Sequence, residues 1–363
     1  MSSFAGHHAD INLRLAHALI SRGHQVTIYA NTFFPSANLD LKIAPLTTDY
    51  PYDIVHTIAK NESLEHQIKA FQLEASGFSN NLKNVDSADI TIFPTLLDYQ
   101  LFSIGEWQHD LGRLIACIHA DPIQFNSHGA ALWKMAFDNC SRKKDSLMIG
   151  TLEPEVCLAY KSLVSHNAID IKMFPIPHDG GIVRDEENQL RTIGILGHQR
   201  PDKGFDSIPR VVTRLIQSGF RVIVQNSSLV TDNAILKIHP NLEVMGHVEN
   251  LSDLISRCSL ILLNYKKNSY RVTGSGIAWE ALASGVPILA PQGTSIAKLI
   301  KQYTCGEVFD SDNNESLHSM ITVMQENYPH YKRNSKLARD QYHRTHGTNL
   351  FIDFILSNNE LLI

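Results

Sequence analysis

Glu280 is the only carboxylate in TGSGIAWEALASGVPILAP, residues 273–291, and no other charged residue lies between Arg271 and Lys298. An ionised carboxylate is seldom buried without a partner, because desolvation costs more than packing returns. Glu280 must therefore face water, a basic group elsewhere in the chain, or a ligand. The residues ahead of it favour a ligand. Thr273 or Ser275 can cap a helix, and Gly276 leaves its first turn open. Unpaired amides and the macrodipole at such a tip attract an anion. Glu280 follows Ser275 by about 7.5 Å along a helix axis, at roughly 1.5 Å per residue. That offset is close to the separation of a nucleotide's pyrophosphate from its ribose hydroxyls, and a carboxylate accepts two hydroxyl hydrogen bonds well.

A second cluster is GHQRPDKG, residues 197–204. Gly197 and Gly204 allow close backbone approach, and His198, Arg200 and Lys203 supply cationic or donor groups. A loop of this kind opening a helix suits phosphate, although the spacing is not that of a Walker loop; a solvated basic turn explains it equally well. HADP, residues 119–122, offers His119 for proton work near neutral pH, or simply a strand-end turn. GHH, residues 6–8, could meet a phosphate or a hydroxyl through backbone and imidazole N–H groups, or serve only as a helix entry. DSD, residues 310–312, resembles a metal-binding pair, but Asp312 precedes a helical pattern and is expected to cap it. No HExxH or Cys/His ligand spacing accompanies the eighteen histidines, so no metal site is expected.

The elements that must carry these groups alternate along the chain, as in a parallel α/β protein. Strands are expected at QVTIYAN (25–31), DITIFPT (89–95), RLIACIH (113–119), DSLMIGT (145–151) and IKMFPIP (171–177), with helices over 9–22, 96–108, 127–142 and 153–164. The polar HDGGIVRDEENQLR, residues 178–191, reads as a linker. A second series follows, with strands at 192–197, 221–225, 242–246, 260–265 and 286–291. Its helices start near 205 and 249, then run over 276–284, 295–303, 313–327 and 330–344, and 346–363 closes the chain as an amphipathic helix. At 363 residues two domains are expected. A formal net charge of −5 argues against bulk nucleic-acid binding. Five scattered cysteines without a CxxC pair suit reduced, buried thiols and a cytoplasmic setting. The basic helix YKRNSKLARDQYHR, 331–344, suits a solvated face, with a peripheral membrane contact as the other reading. A domain of this type opens with a strand, and none precedes the first helix; a start upstream of Met1 or a missing first strand would account for it.

GHQRPDKGFDSIPRVV, VMGHVENLSDLISRCSLILLNY and SGIAWEALASGVPILAP…SIAKLI resemble the donor half of GT-B glycosyltransferases, in particular family 4, also called group 1. AGHHADINLRLAHALISRGHQVTIYAN is similar to that family's glycine loop, first helix and second strand. The resemblance implies two Rossmann-like domains facing a cleft: 1–180 on the acceptor side, 181–345 binding the donor, and 346–363 packing back on the first. It implies a nucleotide-diphosphate sugar as co-substrate, no cofactor or metal, retention of configuration, and a saccharide, lipid-linked or small-molecule acceptor. Lys203 then meets the pyrophosphate, Ser275 and Gly276 form the helix tip, and Glu280 holds the ribose. Gly6 and His7 belong to the acceptor or phosphate loop, and His119 lies near the transferred sugar. Two positions depart from the family pattern. Val272 stands where the first glutamate of E-x7-E is usual, with Arg271 beside it as a charge for the phosphates, and His198 replaces the loop arginine, with Arg200 two residues on. A sugar-nucleotide epimerase on the same fold, or a catalytically weak partner subunit, are the alternatives; a dehydrogenase lacks its GxGxxG.

Overall fold

The computed structural model describes residues 8–30, 41–45, 63–107, 111–123, 126–164, 169–181, 189–197, 200–225, 239–246, 248, 250–313 and 315–357. Contacts divide the chain into two units, Ala16–Phe174 and a second made of Ser2–Leu15 with Pro175–Ile363. Helix α1 (His8–Ile20) straddles this division: up to Leu15 it groups with the second unit.

In the first unit β1 (Thr27–Ala30) pairs in parallel with β2 (Lys42–Pro45). A separate four-stranded parallel sheet runs β3 (Ile90–Phe93), β4 (Arg113–Ile118), β5 (Leu147–Thr151) and β6 (Ile171–Met173), in that spatial order. Between these strands lie α2 (Leu64–Leu82), α3 (Asp98–Glu106), α4 (Gly129–Cys140) and α5 (Pro154–Lys161). Every residue of β4 after Arg113 is buried, the pattern of a strand covered on both faces. Its neighbours pack aromatics: Trp133 meets Tyr160 edge-on at 4.9 Å, and Phe78 meets Tyr99 at 6.2 Å. Each such side chain contributes about 1.5–3 kcal/mol by leaving water. The sequence reading left out β2 and α2. KIAP is too short to show alternation, and α2 carries Gly77 and several Ser and Asn residues that dilute its apolar stripe.

The second unit holds six parallel strands in the order β12-β11-β10-β7-β8-β9. They are β7 (Thr192–Ile195), β8 (Arg221–Gln225), β9 (Leu242–Met245), β10 (Leu260–Leu262), β11 (Ile288–Pro291) and β12 (Gly306–Phe309). The chain begins at β7, steps outward to β9, then returns to β7's other side to lay down β10, β11 and β12. Strand order therefore reverses between β7 and β10, where open α/β sheets hold ligands beyond the strands' carboxyl ends. The helices are α6 (Ile208–Gln217), α7 (Leu251–Ser256), α8 (Gly276–Ser284), α9 (Ser295–Tyr303), α10 (Ser316–Glu326), α11 (Tyr328–Tyr342) and α12 (Thr348–Leu356). β12 was not expected, since CGEVF is short and half polar.

Two expectations change. The expected linker opens on a packed strap: His178 is 1% exposed, and Tyr342 Oη donates to the carbonyls of Ile176 and His178. Helix α12 belongs to the second unit, where Gly347 N–H donates to Ile176 O and Thr348 to the Asp179 carboxylate. Asp312 does not cap α10; the helix starts after Glu315, and Asp310 Oδ1 accepts the Asp312 N–H in a local turn. All five cysteines are free and buried. No described helix is long and apolar enough to cross a membrane.

Candidate functional site

The loops that leave β7 and β10 meet at the strand reversal. The first turns through Gly197 (φ +92°) and Gly204 (φ +71°), a backbone region that side chains other than glycine rarely adopt. A Cβ on Gly197 would lie 3.0 Å from Ile277 Cγ1 and 3.6 Å from Lys203 Nζ, so this glycine backbone, the α8 tip and the lysine ammonium are immediate neighbours. Lys203 Nζ sits 5.2 Å from the ring centroid of Tyr265, and makes no ion pair or hydrogen bond with any described residue. At the tip, Ser275 caps α8 by accepting the Ala278 N–H at 3.4 Å. Among the described residues no acceptor meets the N–H groups of Gly276 and Ile277, the first two of the helix. One ammonium and two amides therefore converge on a single region, which is the composition of an anion site. Beside it, a groove of about 810 Å³ is lined in part by Gly204, Ser207, Arg210, Asn264, Tyr265 and Lys266.

Glu280 answers to the protein's own donors. Its Oε1 accepts from Arg14 Nη2 at 2.8 Å and from His178 Nδ1 at 2.6 Å. Its Oε2 accepts from Ser252 Oγ at 2.9 Å and from Gly180 N at 3.2 Å. The residue is 1% exposed. Burial works against ionisation, yet the charge and hydrogen bond of His178, followed by those of Arg14, outweigh it and hold the carboxyl well below the usual carboxylate range. The ribose role expected for Glu280 meets a carboxylate whose two oxygens already take four donors. These contacts fasten α1, the strap and α7 onto α8. His178 and Arg14 stand 102 and 266 residues away, so no local pattern could have paired them with Glu280.

No family model matches the chain, and no curated protein matches it in sequence. Solved structures do. A sucrose-phosphate synthase from Thermosynechococcus elongatus matches with a TM-score of 0.68, over 98% of this chain and 94% of its own, at 12% identity. WaaG, a glycosyltransferase involved in lipopolysaccharide biosynthesis, gives 0.61 over 96% of both chains at 13% identity. Anabaena HepE, solved with UDP and glucose, gives 0.64 over 96% and 95% at 10% identity. The fold is that of the GT-B glycosyltransferases.

Within this GT-B chain the remaining expected residues fall apart by environment. Arg200 is held by Asp202 through two bonds, Nε to Oδ1 at 3.0 Å and Nη2 to Oδ2 at 2.8 Å, and reaches Tyr270 Oη at 3.3 Å. It shapes the loop rather than offering its whole fork to an anion. Arg271 is exposed and bonds to no described residue. His119 belongs to the first unit, at the end of β4, where its Nε2 donates to Pro94 O at 2.6 Å. A carbonyl only accepts, so the proton sits on Nε2 and proton acceptance is left to Nδ1. Gly6, His7 and His198 lie outside the described residues. Among those described, no three metal-ligating side chains converge. The sequence reading passed over Tyr265, whose signal was its place just beyond the apolar LILLN run of a strand at the reversal.

Proposed function

We propose that this GT-B chain is a glycosyltransferase that uses a nucleoside-diphosphate sugar and a hydroxyl acceptor. The observation that carries the reading is the convergence of Lys203 Nζ, the Gly197 backbone and the open first turn of α8 at the strand reversal. In transfer, the acceptor oxygen bonds to the anomeric carbon as the bond to the diphosphate oxygen breaks; negative charge grows on the leaving diphosphate, which takes up the acceptor hydroxyl's proton. Preorganised N–H groups and an ammonium stabilise that charge without reorganising. The expected course is retention of configuration, with turnover unaffected by chelator. His119, in the first unit, serves the transferred sugar.

The test is calorimetry with UDP, GDP, ADP and TDP beside the matching nucleosides. Lys203→Ala is expected to weaken the preferred nucleoside diphosphate by about tenfold or more, roughly the 1.4 kcal/mol of one charge-assisted contact, and the nucleoside hardly at all. Equal losses for both would remove the phosphate role, and wild-type protein that binds none of the four would remove the function. For His119→Ala the expectation is lower kcat at unchanged donor affinity, read from initial rates.

A further inference from the structure

Lys203 and the α8 tip come from different loops, and one side chain touches both. Tyr265 follows β10 and is 4% exposed. Its ring lies under Lys203 Nζ, at 5.2 Å from the centroid, and its hydroxyl is 3.2 Å from Ser275 Oγ, the cap of α8. The ring also packs on Tyr270, tilted by 41° with 4.3 Å between centroids. Tyr270 Oη in turn reaches Asp202 Oδ2 and Arg200 Nη2, both at 3.3 Å, and Asp202 O accepts the Lys266 N–H at 2.9 Å. The aromatic pair of the β10 loop is thereby bonded to the β7 loop.

A lysine has a flexible four-carbon stem, and Lys203 has no carboxylate among the described residues to fix it. The face of an aromatic ring attracts an ammonium while leaving its N–H groups available to a ligand. A carboxylate in the same place would occupy those N–H groups and repel an incoming anion. We propose that Tyr265 is the positioning residue of the anion site, its ring setting the Lys203 ammonium and its hydroxyl setting the Ser275 cap so that both face one diphosphate. The proposal rests on the reading of this site as one for a nucleoside diphosphate.

The experiment compares Tyr265→Leu, which removes ring and hydroxyl, with Tyr265→Phe, which removes the hydroxyl alone. Two quantities are read: affinity for inorganic pyrophosphate and UDP, and the rate at which acetic anhydride acetylates Lys203, followed by peptide mapping without any ligand. Unfolding midpoints report whether each variant folds, and Tyr265→Met replaces the leucine variant if that one does not. The leucine variant is expected to lose about tenfold in pyrophosphate affinity and to change the Lys203 labelling rate about fivefold, as fits loss of one cation–ring contact. The phenylalanine variant is expected to keep wild-type labelling and to lose about two- to threefold in affinity, the share of one hydrogen bond. Wild-type labelling and affinity in the leucine variant would overturn the role of Tyr265 while leaving the proposed function standing. So would a phenylalanine variant whose labelling changes as much as leucine's, because it keeps the ring. Wild-type protein that binds neither pyrophosphate nor any nucleoside diphosphate would overturn the proposed function, and this proposal with it.

Discussion

Asp98, half-buried in the first unit, and Glu280, fully buried in the second, are both helical carboxylates whose ionisation desolvation opposes, and they end in opposite states. Glu280 collects four donors, two of them from Arg14 and His178, and is held ionised. Asp98 opens α3 and accepts the Tyr99 N–H at 2.8 Å, with no cation paired to it among the described residues. Burial pushes it up to about 6, against the pull of that backbone bond. The turn that carries it is tied to β4 by the bond from His119 Nε2 to Pro94 O and by Leu96 N–H to Cys117 O at 2.8 Å. The contrast separates a charge consumed by architecture from one left chemically available. In the second unit the group available to a ligand is Lys203, a cation, which suits a diphosphate. In the first it is a carboxyl, which suits hydroxyls.

The contrast is broken most directly at Glu280. Glu280→Ala leaves Arg14 and His178 facing an empty acceptor, and removing one partner of a buried ionic network costs about 3–5 kcal/mol. Urea unfolding followed at Trp279, in a Trp107→Phe, Trp133→Phe background that leaves it as the lone reporter of the second unit, should show that loss. A drop below about 1 kcal/mol would mean the network is incidental.

Acid should sharpen the contrast. His346 is half-buried and pushed down to about 4 by desolvation, with His343 adding to the effect, and its Nδ1 accepts the Ile176 N–H. A lowered histidine resists protonation in the fold, so stability falls as pH drops from about 6.5 towards 4, by about 2–3 kcal/mol. The stability due to Glu280, whose folded value is lowered, is complete above its unfolded value near 4.5 and is lost below it. Asp98 acts in the other direction. Its folded value is raised, so the first unit gains stability as pH falls from about 6 to about 4. The Trp279 reporter should therefore lose midpoint over a range in which a reporter at Trp133 gains it; parallel curves would refute the contrast.

The smallest effect is expected of Asp98→Asn. Taking away a half-buried, poorly compensated charge should stabilise the first unit at pH 7 by about 1–2 kcal/mol and abolish its rise between pH 6 and 4.

Strands were the most legible part of the sequence wherever burial on both faces produced an unbroken apolar run, as in RLIACI or LIL. Four-residue strands with mixed faces, β2 and β12, gave no such run. The proposed anion site was partly legible. The Ser275 cap and the start of α8 at Gly276 could be read because capping chemistry is a local property. The surroundings of Glu280 were not, because they depend on Arg14 and His178, distant residues whose own neighbourhoods look like ordinary helix and loop. An isolated acid in an apolar segment does announce an unusual partner; it does not say whether that partner is a ligand or the chain itself.

The fastening of Glu280 also bears on how this protein can be dissected. A recombinant C-terminal half starting at residue 189 would lack both His178 and Arg14, and would carry a stranded charge in its interior. Expression of that half alone should yield insoluble material; prefixing the strap from Pro175 restores His178 and should recover it in part, and supplying residues 1–181 as a separate polypeptide restores Arg14 as well and should recover it by complementation.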